Sequence, residues 1–162
     1  MPFPLIAMEG KITARRLVEM AVTMEESVAE FYGRAAEMGS ETRSLFEDLA
    51  RAEVKHAQIY KSLDPGGIFI GDVSEQGYLS DLLDTGILRD LSESGKLGKS
   101  PLNVDEAFPA AVQLEKETIL FYTGLEPLLE SSAKSTVQEI IAQEKEHLRR
   151  VVSARRKIKT VR

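Results

Sequence analysis

The chain has 162 residues, a net charge of −5 and 43% apolar residues, enough to bury the core of one domain spanning 1–162 and too acidic for a nucleic-acid-binding body. It contains no cysteine, which excludes disulfides, zinc–thiolate sites and iron–sulfur centres and leaves nitrogen and oxygen as the metal donors. No apolar run approaches the ~20 residues that span a bilayer. The apolar start, Met1 to Met8, lacks the basic lead and cleavage site of an export signal, so a cytoplasmic protein with no membrane and no nucleic-acid partner is expected.

Between Lys11 and Met38 apolar residues recur at helical spacing (Leu17, Met20, Ala21, Met24, Val28, Phe31, Ala35), and Gly39 supplies a stop. Ser40 can cap a second helix that runs through Leu45, Leu49, Ala52, His56 and Ile59 to about Leu63, where Asp64-Pro65-Gly66-Gly67 breaks it. So short a connection makes the two helices an antiparallel hairpin over 11–63. From 64 to 103 seven glycines and two prolines mark a long crossover, with one short helix expected around Glu75 to Leu83. Leu82, Leu83, Ile87 and Leu88 in it can pack on this chain or on a second copy, and a homodimer is expected.

A third helix is predicted from Val104 or Asp105, with the Asp105 carboxylate as cap, to Leu125, where Pro127 should kink or end it. The fourth runs from about Ser132 to Arg156, with Val137, Ile140, Ile141, His147 and Val151 facing inward, closing a second hairpin over 104–158. At 1.5 Å per residue the long helices span roughly 33–42 Å. Seven Lys or Arg and no acid lie between Arg149 and Arg162, leaving −12 on the first 148 residues; such a basic run suits a solvated helix C-terminus, with contact to a partner or an anionic surface as the alternative.

The two hairpins repeat one another. Met24-Glu25-Glu26-Ser27-Val28-Ala29-Glu30-Phe31-Tyr32 aligns without a gap on Leu114-Glu115-Lys116-Glu117-Thr118-Ile119-Leu120-Phe121-Tyr122, an offset of 90 residues. Ala52-Glu53-Val54-Lys55-His56 lies over Gln143-Glu144-Lys145-Glu146-His147 at an offset of 91. A shift that changes by one residue across a whole hairpin indicates duplication.

Both histidines of the chain stand three residues after a glutamate, Glu53 before His56 and Glu144 before His147. On a helix, residues i and i+3 share a face, so each pair can present a carboxylate and an imidazole to one point. Singly, such a pair is a weak signal. The duplication adds Glu25 and Glu115, which precede their Glu-x-x-His partners by intervals of 28 and 29 residues. Glu25 lies on or beside an apolar stripe, and an inward carboxylate is costly unless it is paired or metal-bound. Four carboxylates and two neutral imidazoles carry a formal −4, which two divalent cations balance, so metal binding should support folding as well as function.

With these residues in place the chain resembles the rubrerythrin and ferritin-like di-iron proteins, which take one Glu from each of two helices and Glu-x-x-His from each of the other two. The Phe-Tyr pairs ending in Tyr32 and Tyr122 are similar to that family's pattern. The resemblance implies an all-α, ferritin-like four-helix bundle and two iron ions, with manganese or a mixed pair as alternatives. It implies Glu53 and Glu144 as bridging ligands, Glu25 and Glu115 as terminal ligands, and His56 and His147 each on one ion. Tyr32 and Tyr122, seven residues after their glutamates, either orient those carboxylates or fill the core. Gln113, Glu26 and Thr118 are further candidates for contacts behind the ligands.

The implied activity is oxidation of an Fe(II) pair by peroxide or O2, as in a rubrerythrin-like peroxidase. A ferroxidase that handles iron and a non-enzymatic metal-binding helical module are the alternatives. Without the cysteine-rich iron domain of full-length rubrerythrins, reductive turnover would draw electrons from an external donor protein. Thr118 stands where rubrerythrins place an extra glutamate, which argues against peroxidase specialisation.

Overall fold

The structure, a computed structural model, describes residues 14–63, 77–78, 81–82, 84–85, 89–90, 101 and 103–161. Its long elements are α1 (Ala14–Ala36), α2 (Arg43–Ser62), α3 (Val104–Leu125) and α4 (Ser131–Val161), with no strand among the described residues. The start of the first predicted helix at Lys11, and Leu83, Ile87 and Leu88 of the crossover, lie outside the described residues. Within the predicted short helix, residues 77–78 and 81–82 are helical, and the rest of its span is likewise outside the described residues.

Two boundary signals differ from expectation. Ser40 does not cap α2. The helix begins after Thr42, whose backbone is already helical and whose hydroxyl donates to the carbonyl of Gly39 at 3.3 Å rather than serving the helix end. Asp105 does not cap α3 either. Asn103, in extended backbone, accepts from the Glu106 amide at 3.0 Å, and Asp105 and Glu106 occupy the first turn, where their charge suits the positive end of the dipole. Pro127 acts as anticipated, since α3 ends at Leu125 and a 3₁₀ turn, Glu126–Leu128, carries the chain to α4. That last helix runs to Val161, beyond the Arg156 expected, with Lys159 in its final turn against the negative end of the dipole.

Helix α1 packs along α2 and α3 along α4, while α1 also touches α3 and α2 touches α4. The apolar stripe read along α1 is the one it buries: Leu17, Ala21, Met24, Val28, Phe31 and Ala35 are all in the core. Val137, Ile140, His147 and Val151 point inward from α4 as expected, with Ile141 half-buried. Gly124 lets described residues of the crossover approach α3 closely. A Cβ there would meet Tyr78 Cε1 at 3.2 Å and Leu82 Cδ1 at 3.3 Å, so Leu82 packs onto this chain's own α3.

Aromatic rings wall the middle of the bundle unevenly. Phe46, at the start of α2, stacks on Tyr32 of α1 at 5.8 Å and meets Phe108 of α3 at 5.4 Å. Tyr60, at the end of α2, faces Tyr122 of α3 at 5.1 Å. By the offset of the repeat, the positions on α4 that correspond to Phe46 and Tyr60 are Val137 and Val151. All four are fully buried. The duplicated halves have thus diverged into an aromatic α2 and an aliphatic α4.

Candidate metal centre

Midway along the bundle the four helices each turn charged side chains into the core. Glu25 comes from α1, Glu53 and His56 from α2, Glu115 from α3, and Glu144 and His147 from α4. The four carboxylates and His56 are at most 1% exposed, and His147 is 6% exposed. Burial of so many ionisable groups is unfavourable unless they compensate one another or share cations. The spacing that puts them there is helical: Glu53, His56 and Tyr60 fall on one stripe of α2 with Phe46 and Leu49, and all five are buried.

The contacts follow the repeat. His56 Nδ1 lies 3.1 Å from Glu53 on its own helix and 2.8 Å from Glu144 Oε1 on α4, with Glu25 Oε2 at 3.7 Å. His147 Nδ1 lies 3.1 Å from Glu144 on its own helix and 2.9 Å from Glu53 Oε1 on α2. The imidazole rings face one another at 5.6 Å, inclined by 21°. One ring nitrogen can carry only one proton, so several carboxylates gathered about each Nδ1 cannot all be hydrogen-bonded by it. Glu25 Oε2, 3.7 Å from His56 Nδ1, is indeed buried without a hydrogen bond.

The donor atoms sort into two groups in which all lie within 4.8 Å of one another: Glu25, Glu53, His56 and Glu144, and Glu53, Glu115, Glu144 and His147. Glu53 and Glu144 belong to both. Inward carboxylate oxygens converging beside imidazole nitrogens form a donor set that fits a pair of hard or borderline divalent cations.

The electrostatics describe what the cluster does when only protons are available. Burial pushes the Glu25 carboxyl well above the usual carboxylate range; His56 pulls it partly back, and the charges of Glu144 and Glu53 add to the rise. Glu115 is likewise raised by burial and by Glu144 and Glu53. Glu53 goes the other way, because hydrogen bonds from His147 and His56 outweigh its own burial and hold it at about 2. Burial disfavours the imidazolium of His147, yet Glu144 and Glu53 bring it up to about 9. For His56 burial is again outweighed, by Glu144, Glu25 and Glu53, and it is raised further above the ordinary imidazole range. Protons on Glu25, Glu115 and both imidazoles thus stand in for cations.

The tyrosines support the cluster crosswise. Tyr32 of α1 donates its hydroxyl proton to Glu115 of α3, and Tyr122 of α3 donates to Glu25 of α1. Each therefore orients the glutamate of the other half, whereas their spacing had placed them beside their own. Burial raises both phenols well above their ordinary range, with Glu115 adding at Tyr32 and Glu25 at Tyr122, so they stay protonated as donors.

Of the other candidates behind the ligands, Thr118 is buried one turn past Glu115. Gln113 and Glu26 are not at the site. Gln113 bonds Glu117 at 2.6 Å on the outer face of α3, and Glu26 pairs with Lys61 at the surface. Two residues near the cluster went unassigned from sequence. Tyr60 has a buried hydroxyl with no hydrogen-bond partner, and its place one turn past His56 was the available signal. Gln143, whose Oε1 lies 2.8 Å from His56 Nε2, directly precedes Glu144, a position from which the sequence offers no hint of reaching α2.

No protein-family model matches the chain. No curated protein matches it either. Among solved structures it is similar to a Thermotoga maritima protein assigned as ferritin-like and diiron-carboxylate, with 26% sequence identity over 92% of this chain and 98% of that one and a TM-score of 0.63. The all-helical architecture of this chain is that of a ferritin-like bundle, and its buried Glu/His cluster fits a di-iron protein.

Proposed function

We propose that this chain binds a pair of iron ions through Glu25, Glu53, His56, Glu115, Glu144 and His147 and works as a rubrerythrin-like oxidoreductase on peroxide or O2. The observation that carries the reading is the sharing of Glu53 and Glu144 between two groups of buried, converging donors, among which Glu25 Oε2 has no hydrogen bond. The similar Thermotoga maritima protein, assigned as diiron-carboxylate, supports iron as the metal, and a carboxylate-rich set with one imidazole per position suits it chemically.

When bound, the iron pair supplies two electrons to the oxidant. Everything else is work for the protein. Glu53 and Glu144 hold the two positions together from α2 and α4, and Glu25 and Glu115 close them from α1 and α3. Tyr122 and Tyr32 fix the rotamers of those two closing carboxylates by hydrogen bonding. Buried rings lie along the bundle to either end of the centre, Phe46 with Phe108 toward the start of α2 and Tyr60 with Tyr122 toward its end. The returning electrons come from outside these 162 residues, which have no cysteine with which to hold an iron–sulfur cluster.

Elemental analysis of protein made in iron-supplemented medium tests the first half of the proposal, with about two irons per chain expected and metal content near zero the outcome that sinks it. Stoichiometric loss of peroxide by the reduced, iron-loaded protein tests the second. Continued uptake of iron far beyond the pair would instead assign ferroxidase chemistry.

A further inference from the structure

The duplication that builds the centre is broken at one position behind it. Gln143 accepts at Oε1 from His56 Nε2, 2.8 Å away. The equivalent residue in the first half of the repeat is Ala52, which has no polar group to offer His147. Among the described residues no side chain bonds His147 Nε2, and His147 is the most exposed of the six residues at the site.

The consequence runs through the tautomer. A neutral imidazole carries one proton, and the nitrogen that donates leaves the other as the acceptor. With Nε2–H held by Gln143, the nitrogen that a cation would meet in place of a proton is Nδ1, which faces the point where oxygens of Glu25, Glu53 and Glu144 converge 2.8 to 3.7 Å away. His56 is 1% exposed, so water has little access to take the role of Gln143. At His147, 6% exposed, no described side chain settles the same choice. Partners that orient a ligating histidine typically change metal affinity about tenfold to a hundredfold when removed.

We propose that the two positions of the centre are unequal, and that Gln143 is a positioning residue that makes the Glu25, Glu53, His56 and Glu144 position bind its metal ion first and more tightly. This inference rests on the metal centre proposed above, and it concerns the order of loading rather than the reaction.

Titration of the metal-free protein with Co(II), followed by calorimetry and by anomalous diffraction from crystals given one equivalent, tests it without any turnover. In the wild type the first ion should appear beside His56 and the second step should be weaker. Gln143→Leu should weaken the first step by about tenfold or more and spread a single equivalent over both positions. Gln143→Glu, which keeps an acceptor for Nε2–H, should retain the order. Ala52→Gln should strengthen the second step by offering His147 the missing acceptor. Gln143 lies at the exposed edge of α4, so these changes leave the core untouched. Equal occupancy of both positions in the wild type, a first ion at His147, or identical titrations for Gln143→Leu and wild type would each overturn the unequal loading while leaving the centre itself standing. Failure of the wild type to bind any Co(II) would remove the centre and this inference together.

Discussion

Tyr32 and Glu115 stand 83 residues apart in the chain, yet the hydroxyl of one donates to the carboxylate of the other deep inside the bundle. Tyr122 and Glu25 make the matching bond across 97 residues. Replacing Tyr32 or Tyr122 with Phe preserves ring volume and removes only the donor, so the fold should survive with a loss of about 1–3 kcal/mol for the unsatisfied acceptor. Metal affinity should fall by about tenfold as the carboxylate loses its fixed rotamer. Thermal unfolding and metal titration measure the two effects, and a double Phe variant that titrates like wild type would refute the orienting role.

Glu53 and Glu144 each serve both donor groups, whereas Glu25 and Glu115 each serve one. Glu25→Ala or Glu115→Ala should therefore lower metal content from about two ions per chain to about one. Glu53→Ala or Glu144→Ala should abolish tight binding at both positions. If all four variants lost metal to the same extent, the division into shared and closing ligands would be wrong.

Metal must displace the protons that the cluster holds without it. Glu25 and Glu115 are raised by burial, and His147 is raised to about 9 by Glu144 and Glu53 against the opposing effect of its burial. All of these shifts favour the protonated forms, and His56 holds its proton more firmly still, so loading releases protons and apparent affinity increases with pH up to and beyond the value of about 9 for His147. Calorimetric titrations in buffers of different ionisation enthalpy, at about pH 6 and about pH 8, count the protons released. Affinity independent of pH across that span would contradict the proton-filled description of the cluster.

Phe46 fills the space between Tyr32 and Phe108 and is fully buried. Phe46→Ala should cost about 3–5 kcal/mol through the cavity it leaves and should also loosen Tyr32 against Glu115. Denaturant unfolding of the metal-free protein reads the first effect. A cost below about 1 kcal/mol would mean that α1, α2 and α3 collapse around the gap.

Most of the architecture was legible because it rests on local signals. The apolar stripe of α1, Gly39, Pro127 and the two Glu-x-x-His pairs each act within a turn or two of helix, and the duplication tied them into one centre. The caps were misjudged for a local reason too: Ser40 and Thr42, or Asn103 and Asp105, offer similar oxygens to a helix start, and only backbone geometry separates them. Longer-range pairing was another matter. Tyr32 shares a face with Glu25 along α1, but the approach of α1 to α3 sends its hydroxyl to Glu115. Likewise Gln143 reaches His56 only because α2 and α4 lie side by side, a relationship that no spacing along either helix encodes.

Each donor group takes three of its four residues from one hairpin and the fourth from the other: Glu25, Glu53 and His56 with Glu144, or Glu115, Glu144 and His147 with Glu53. Neither hairpin can therefore close even one position by itself. The centre is a seam, and a cation held in either group is bound by both halves of the chain at once. Prying the hairpins apart would break both groups at once.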